Sequence, residues 1–139
     1  MASSVYERCK ANLMKGIIDL ESDTIKVQLH TASYTPATTH NITSDLSNEV
    51  SATGYTAGGI SITSGSVVTQ GATTYWDSTT NPSWTITGSM TARYAVIVDV
   101  DATLGANSLI AWIDFGENKT CTDGTFTITW NASGIIGLA

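Results

Sequence analysis

Five consecutive residues, Tyr94-Ala95-Val96-Ile97-Val98, leave almost no polar face. A strand sends successive side chains to opposite sides, so an extended run that is apolar throughout has to be covered on both. Downstream, the pattern changes. In Thr125-Phe126-Thr127-Ile128-Thr129-Trp130 the alternation is strict, which turns Phe126, Ile128 and Trp130 to a core and three threonines to solvent or a partner. Trp84–Thr87 and Leu109–Phe115 are further strand signals, and Gly, Asn and Asp clusters separate the four as in an antiparallel meander. With one helix available, a second sheet is the simplest cover. The expected fold is mainly β, an antiparallel β-sandwich with one short N-terminal α-helix at an edge or end.

That helix is expected over about residues 4–15. Ser4-Val5-Tyr6-Glu7 has the spacing of a capping box, Val5, Cys9, Leu13 and Met14 fall near one face, and Gly16 supplies a stop. Thr24 to His30 reads as a half-buried strand with Ile25, Val27 and Leu29 inward and Thr24, Lys26 and Gln28 outward. Residues 31–57 have no sustained period and carry Pro36, so they form a long loop with short extended pieces near Ile42 and Val50. Gly58-Gly59 opens a strand in which Ile60 and Ile62 alternate with Ser61 and Thr63, followed by a turn at Gly65 and the short run Val67-Val68. The stretch from Gly71 to Pro82 reads as a polar loop holding Tyr75 and Trp76. At 139 residues, with no linker and no repeat, the chain is expected to form a single domain over 1–139.

Charged residues are only 13% of the chain, about half the usual share, so Thr, Ser and Asn must supply most of the polar surface. Threonine, the commonest residue, fits a pleated strand and tolerates water. The net charge of -6 has the wrong sign for a phosphate backbone or an anionic membrane, so neither nucleic acid nor membrane is an expected partner. All of that charge lies beyond Lys26, where Arg93 and Lys119 face eight acids; before it, Arg8, Lys10, Lys15 and Lys26 balance Glu7, Asp19, Glu21 and Asp23. Such a near-neutral N-terminal segment on an acidic body makes Arg8, Lys10 and Lys15 candidate docking residues. Cys9 and Cys121 read as two independent reduced thiols. MASSVYERCK lacks the apolar core of a secretory leader, and no apolar run has the length of a membrane span, so a protein made in a cytoplasm and staying soluble is expected.

Catalytic chemistry finds little support. His30 and His40 lack the neighbours of a zinc site, and Asp19-Glu21-Asp23 lacks the glycine and terminal glutamate of an EF-hand loop. Asp99-Val100-Asp101 reads as a solvated turn, and no nucleophile elbow, P-loop or dinucleotide fingerprint occurs. The expectation is a protein without enzymatic activity, cofactor or metal. Trp84, Trp112 and Trp130 fall in strands and read as core, whereas Tyr75 and Trp76 could stack on sugar rings in a carbohydrate-binding module. Gly54, Gly58 and Gly59 suit positive φ, in a tight loop feeding the Ile60 strand, or a close approach to another chain, and Arg93, the one base among the core strands, calls for a charge partner in Asp99, Asp114 or a neighbouring subunit.

The order of several motifs adds to this. A helix ending in Lys15-Gly16 is followed by Ile18-Asp19-Leu20, Ser22 to Val27, Ala32-Ser33-Tyr34-Thr35-Pro36, Asn48-Glu49-Val50-Ser51, Gly54-Tyr55-Thr56-Ala57-Gly58-Gly59, Ala92 to Val96 and Leu109 to Gly116. From about Ala11 to Trp130 the chain resembles a family of small tailed-bacteriophage virion proteins. The resemblance implies a non-enzymatic virion component, in the first instance a capsid decoration or cement protein. Its partners would be the major capsid protein or other virion proteins, and it would be a homo-oligomer, possible as a trimer. A tail or head-to-tail connector role is the alternative within the same family. Tyr34, Tyr55, Gly58 and Gly59, which lie in these motifs, join Arg8, Lys10, Lys15, Tyr75 and Trp76 as candidate interaction residues.

Overall fold

The computed structural model describes residues 2–62, 65–101 and 107–139. Thr63, expected to face solvent, lies outside them. Among the described residues the elements run β1 (Ser4–Val5), α1 (Glu7–Met14), β2 (Ile25–His30), a 3-10 turn at Thr43–Asp45, β3 (Ile60–Ile62), β4 (Ser66–Gln70), β5 (Thr73–Asp77), β6 (Ser83–Asp99), β7 (Ser108–Thr127) and β8 (Ile136–Leu138). All strand pairs are antiparallel, in a five-stranded sheet of order β1-β7-β6-β2-β3 and a three-stranded sheet of order β4-β5-β8.

The four strands expected after residue 83 are two long ones. Gly88 and Gly116, read from sequence as turn markers, sit inside β6 and β7 with φ of 82° and 83°. Register shifts between Ile86 and Ser89 and between Ala92 and Tyr94 absorb the extra residues as bulges, so the strands bend without parting. The ribbon runs from Ser83 opposite Thr127 to Asp99 opposite Ser108.

Within it, Tyr94 to Val98 is buried as its composition required, with β2 on its free edge. One side meets Tyr34, whose ring stands edge-on to Tyr94 at 5.9 Å, and Tyr6, 4.9 Å from Trp112. On the other side Ile97, Ala111 and Ile113 border a cleft with Ile135 and Ile136 from the segment that joins the small sheet. The second sheet thus supplies only part of the cover; loop 31–57 and the N-terminal segment supply the rest. Gln28, expected outward, is buried by that loop and meets His30 Nε2 at 3.1 Å.

At the N-terminus the expected capping box does not form. Ser4 and Val5 pair instead with Trp112 and Ala111, so the helix starts three residues later, with extended Tyr6 as its N-cap and no side-chain cap bond. Thr38 replaces the cap: its carbonyl accepts the Glu7 N–H at 2.9 Å and its hydroxyl donates to Glu7 Oε1 at 2.7 Å. Sheet pairing outweighs a local motif worth about 1 kcal/mol. The helix buries Cys9 and Asn12, while Met14, expected on the apolar face, is 91% exposed. Gly16, with φ 69°, ends it as expected.

Two neighbouring glycines separate conformational need from space. Gly58 and Gly59 both have positive φ, but a Cβ on Gly58 meets nothing within 4 Å, whereas one on Gly59 would stand 2.1 Å from the Val27 carbonyl oxygen. Gly58→Ala should cost about 1 kcal/mol from backbone strain alone. Gly59→Ala should cost about 1–3 kcal/mol more, because β3 would have to part from β2. Thermal denaturation of the two variants checks the difference; equal losses would contradict the close approach.

Candidate interaction site

The candidate residues fall into three places. Arg8, Lys10 and Lys15 stand exposed on α1 and its C-cap, leaving their charges open to a partner. Tyr34, Tyr55 and Gly59 pack against the chain itself, while Gly58, open on its Cβ side, is tied to it by its N–H. Tyr34 is 1% exposed; its hydroxyl lies 2.9 Å from the Tyr6 hydroxyl and 3.0 Å from His40 Nδ1, a buried polar chain that ties the loop to the start of the helix. Tyr55 donates to Glu49 Oε1 at 2.6 Å and accepts the Leu29 N–H at 2.9 Å. Glu49 Oε1 also accepts the Gly58 N–H at 2.7 Å, so one carboxylate holds the turn that feeds β3. Burial, followed by the bond to Glu49, raises the Tyr55 hydroxyl well above its ordinary pKa, against a smaller opposite effect of the Leu29 N–H.

Tyr75 and Trp76 form the third group, and here the structure corrects the expectation. They lie in β5, not in a polar loop, and Trp76 is 2% exposed, its indole N–H donating to the Leu20 carbonyl at 2.9 Å. A buried ring offers no face for a sugar. Tyr75 alone is partly open. Alternation within Thr73–Asp77 is the missed signal: β-branched and aromatic residues between Gly71 and Ser78 are strand composition.

What the sequence reading did not assemble is the outward face of the ribbon. Ser83, Thr85, Ser89 and Thr91 of β6 stand opposite Thr127, Thr125, Thr122 and Thr120 of β7, and all eight are exposed. Two rungs close by hydroxyl contacts of 3.0 Å, Ser83 with Thr127 and Thr91 with Thr120. Such pairs stabilise a ribbon while presenting no charge. At the side of this face Arg93 meets Asp114 through two bonds of 2.7 and 3.2 Å, as its lone charge required, and the guanidinium holds the Asp114 carboxyl far below the usual carboxylate range. Cys9 is buried, with its thiol pushed up to about 12, first by burial; both cysteines are free.

Two of the acids set aside as cation ligands come together, and Asp99, read as part of a solvated turn, is buried instead. Asp99, 4% exposed, lies beside Asp23, 7% exposed, where the β2 and β6 pairing ends at Ile25 and Asp99. Each is otherwise engaged by backbone: Asp23 Oδ2 accepts the Asp19 N–H at 2.7 Å and Asp99 Oδ1 accepts the Asp101 N–H at 2.8 Å. Among the described residues, no three His, Cys, Asp or Glu side chains gather as a metal site. Burial, with the neighbouring Asp23 and Asp101, pushes Asp99 from 3.8 up to about 6. His30 moves down by burial; its Nδ1 lies 2.7 Å from the Ser47 carbonyl. In comparisons with known proteins, no family model, no curated protein and no solved structure matches the chain.

The Asp99 carboxyl fixes the sign of a pH effect. Because folding raises its pKa, the stabilisation is complete below 3.8 and is lost as pH rises through about 6. Asn in its place keeps the shape and stays neutral. Asp99→Asn should therefore melt several degrees higher than wild type at neutral pH, with the gap closing as the pH falls toward the ordinary carboxylate range. A pH series of melting curves tests this, and a variant less stable at neutral pH would contradict it.

Proposed function

We propose that this chain is a non-enzymatic structural protein of a tailed-bacteriophage particle, a decoration or cement protein that binds and stabilises the assembled head. The observation that carries the reading is the exposed ladder of Ser and Thr hydroxyls along β6 and β7. Charged residues are depleted at the centres of protein interfaces because burying them carries a desolvation penalty of several kcal/mol per ion. An uncharged hydroxyl face avoids that penalty and can still exchange hydrogen bonds with a neighbouring surface. Support also comes from the motif order that resembles virion proteins. Two of its most distinctive segments do structural work: Gly54 to Gly59 is held by Glu49, and Arg93 in Ala92 to Val96 pairs with Asp114.

The partner in this reading is the major capsid protein or another virion protein, and the protein's place is the virion. The acidic balance, -6 overall, continues to disfavour nucleic acid. The purified protein should co-sediment with assembled heads. Particles lacking it should assemble yet lose infectivity faster on heating or osmotic shock. Thr85→Lys, on the exposed face, should leave the melting temperature within about 1 °C, as surface changes do, while weakening head binding at least tenfold. Absence of the protein from purified particles would overturn the proposal.

A further inference from the structure

The outer edge of β7 carries a second pattern, which shares Thr120 and Thr122 with the hydroxyl ladder. Its inner edge pairs with β6 throughout, but its outer edge pairs with β1 only at Trp112 and Ala111. Among the described residues, no backbone hydrogen bond joins the outer edge of Lys119 to Asp123 to another segment. Such a row of unpaired N–H and C=O groups is a template for another strand.

The residues on this edge read Lys119-Thr120-Cys121-Thr122-Asp123, a sequence that complements itself when reversed. In an antiparallel pair centred on Cys121, Lys119 stands opposite Asp123 of a second copy, Thr120 opposite Thr122, and Cys121 opposite Cys121. Centring on Thr120 instead would set Glu117 against Asp123, two like charges. Centring on Thr122 would leave Lys119 facing Thr125 and Cys121 facing Asp123. Opposite charges across a strand pair are favourable and like charges are not, so the pattern selects one register.

Three structural facts agree. Bulges bound the stretch, at the shift between Ala92 and Tyr94 on one side and at Asp123 on the other, where φ is 46° and Oδ1 accepts the Gly88 N–H at 2.8 Å. A partner strand therefore has little room to slide, and Lys119 would meet the Asp123 carboxylate at the bulge and not on a regular rung. Among the described residues Lys119 pairs with Glu117 at 2.6 Å, an exposed contact that contributes little and leaves the ammonium free to turn. Thr120 already meets Thr91 at 3.0 Å, so a Thr120–Thr122 contact would carry the hydroxyl ladder from one copy to the next. Beside the edge, a groove of about 770 Å³ lined by Phe115, Cys121, Phe126, Ile128 and Trp130 offers apolar surface to cover.

We infer that β7 is a self-pairing edge, through which a second copy of this chain adds antiparallel about Cys121 to form a continuous sheet. The inference does not rest on the virion reading: it is tested on the purified protein, without particles, and either can fail alone.

Sedimentation of the full chain should give a species of twice 14.6 kDa that dissociates on dilution. Diamide treatment should join the copies through Cys121, giving a band on non-reducing gels that Cys121→Ser abolishes and Cys9→Ser, at a buried thiol, does not. Lys119→Asp and Asp123→Lys should each weaken the dimer at least tenfold, and the double exchange, which restores opposite charges across the pair, should bring it back. Because Asp123→Lys also removes the acceptor of the Gly88 N–H, the variants are compared by their melting curves as well, and recovery of the dimer in the double exchange separates pairing from that loss. A monomeric wild type, a cross-link that survives Cys121→Ser, or a double exchange no better than the single changes would each overturn the inference, including the case in which a different protein occupies the edge.

Discussion

The pairing of β6 with β7 is the constraint on which the other elements depend. Strands of 17 and 20 residues share one ladder, and every other strand of the large sheet joins one of their outer edges or, for β3, an edge of β2. The ladder has two halves of different character. Near Tyr94 to Val98 it is a central layer, paired on both edges and covered on both faces. Toward Ser83 and Thr127 it is a one-sided arm with Trp84, Ile86 and Met90 buried beneath and hydroxyls above. Bulges let one ladder serve both uses, since each bend re-aims the strands without ending them.

Where alternation and charge were decisive, the sequence could be read. The apolar run at 94–98, the positive φ of Gly54, Gly58 and Gly59 and the charge partner of Arg93 all follow from residue chemistry that neighbouring context cannot alter. Misreadings arose where a local signal competed with a distant partner. Ser4 and Glu7 hold a valid capping spacing, but β7 offered the backbone of Ser4 and Val5 a ladder. Gly88 and Gly116 are adequate turn residues, yet their neighbours on both sides already paired with one strand. Trp76 looked like a loop aromatic because serines, threonines and glycine surround it; β4 and β8, which bury it, are short and lie on either side of it in sequence. The hydroxyl ladder was invisible for the same reason, since it exists only once Ser83 and Thr127 are opposite one another.

Polar side chains in this protein divide by depth. Those inside form closed local circuits, such as Tyr6, Tyr34 and His40, or Glu49 with Tyr55 and Gly58, which convert a loop of low intrinsic order into fixed scaffold. A buried polar group left unpaired would cost about 1–3 kcal/mol, so these circuits also exclude alternative loop positions. Those outside are mostly hydroxyls, short and nearly uncharged. The loop that looked free enough to dock is thus committed inward, and the regular strands carry the surface available for contact.

The attachment of the N-terminal segment sets an order of events during synthesis. The Ala2 carbonyl accepts the Trp112 indole N–H at 3.1 Å, and Ser4 pairs with Trp112. The first of these contacts spans 110 positions, so this segment is synthesised long before the strand it pairs with. Until β7 emerges, Tyr6 and Cys9 have no sheet to lie against, and an eight-residue helix is too short to persist alone. The nascent chain must carry that segment unpaired until Trp112 has emerged, and closure of the sheet edge by β1 follows the making of β7.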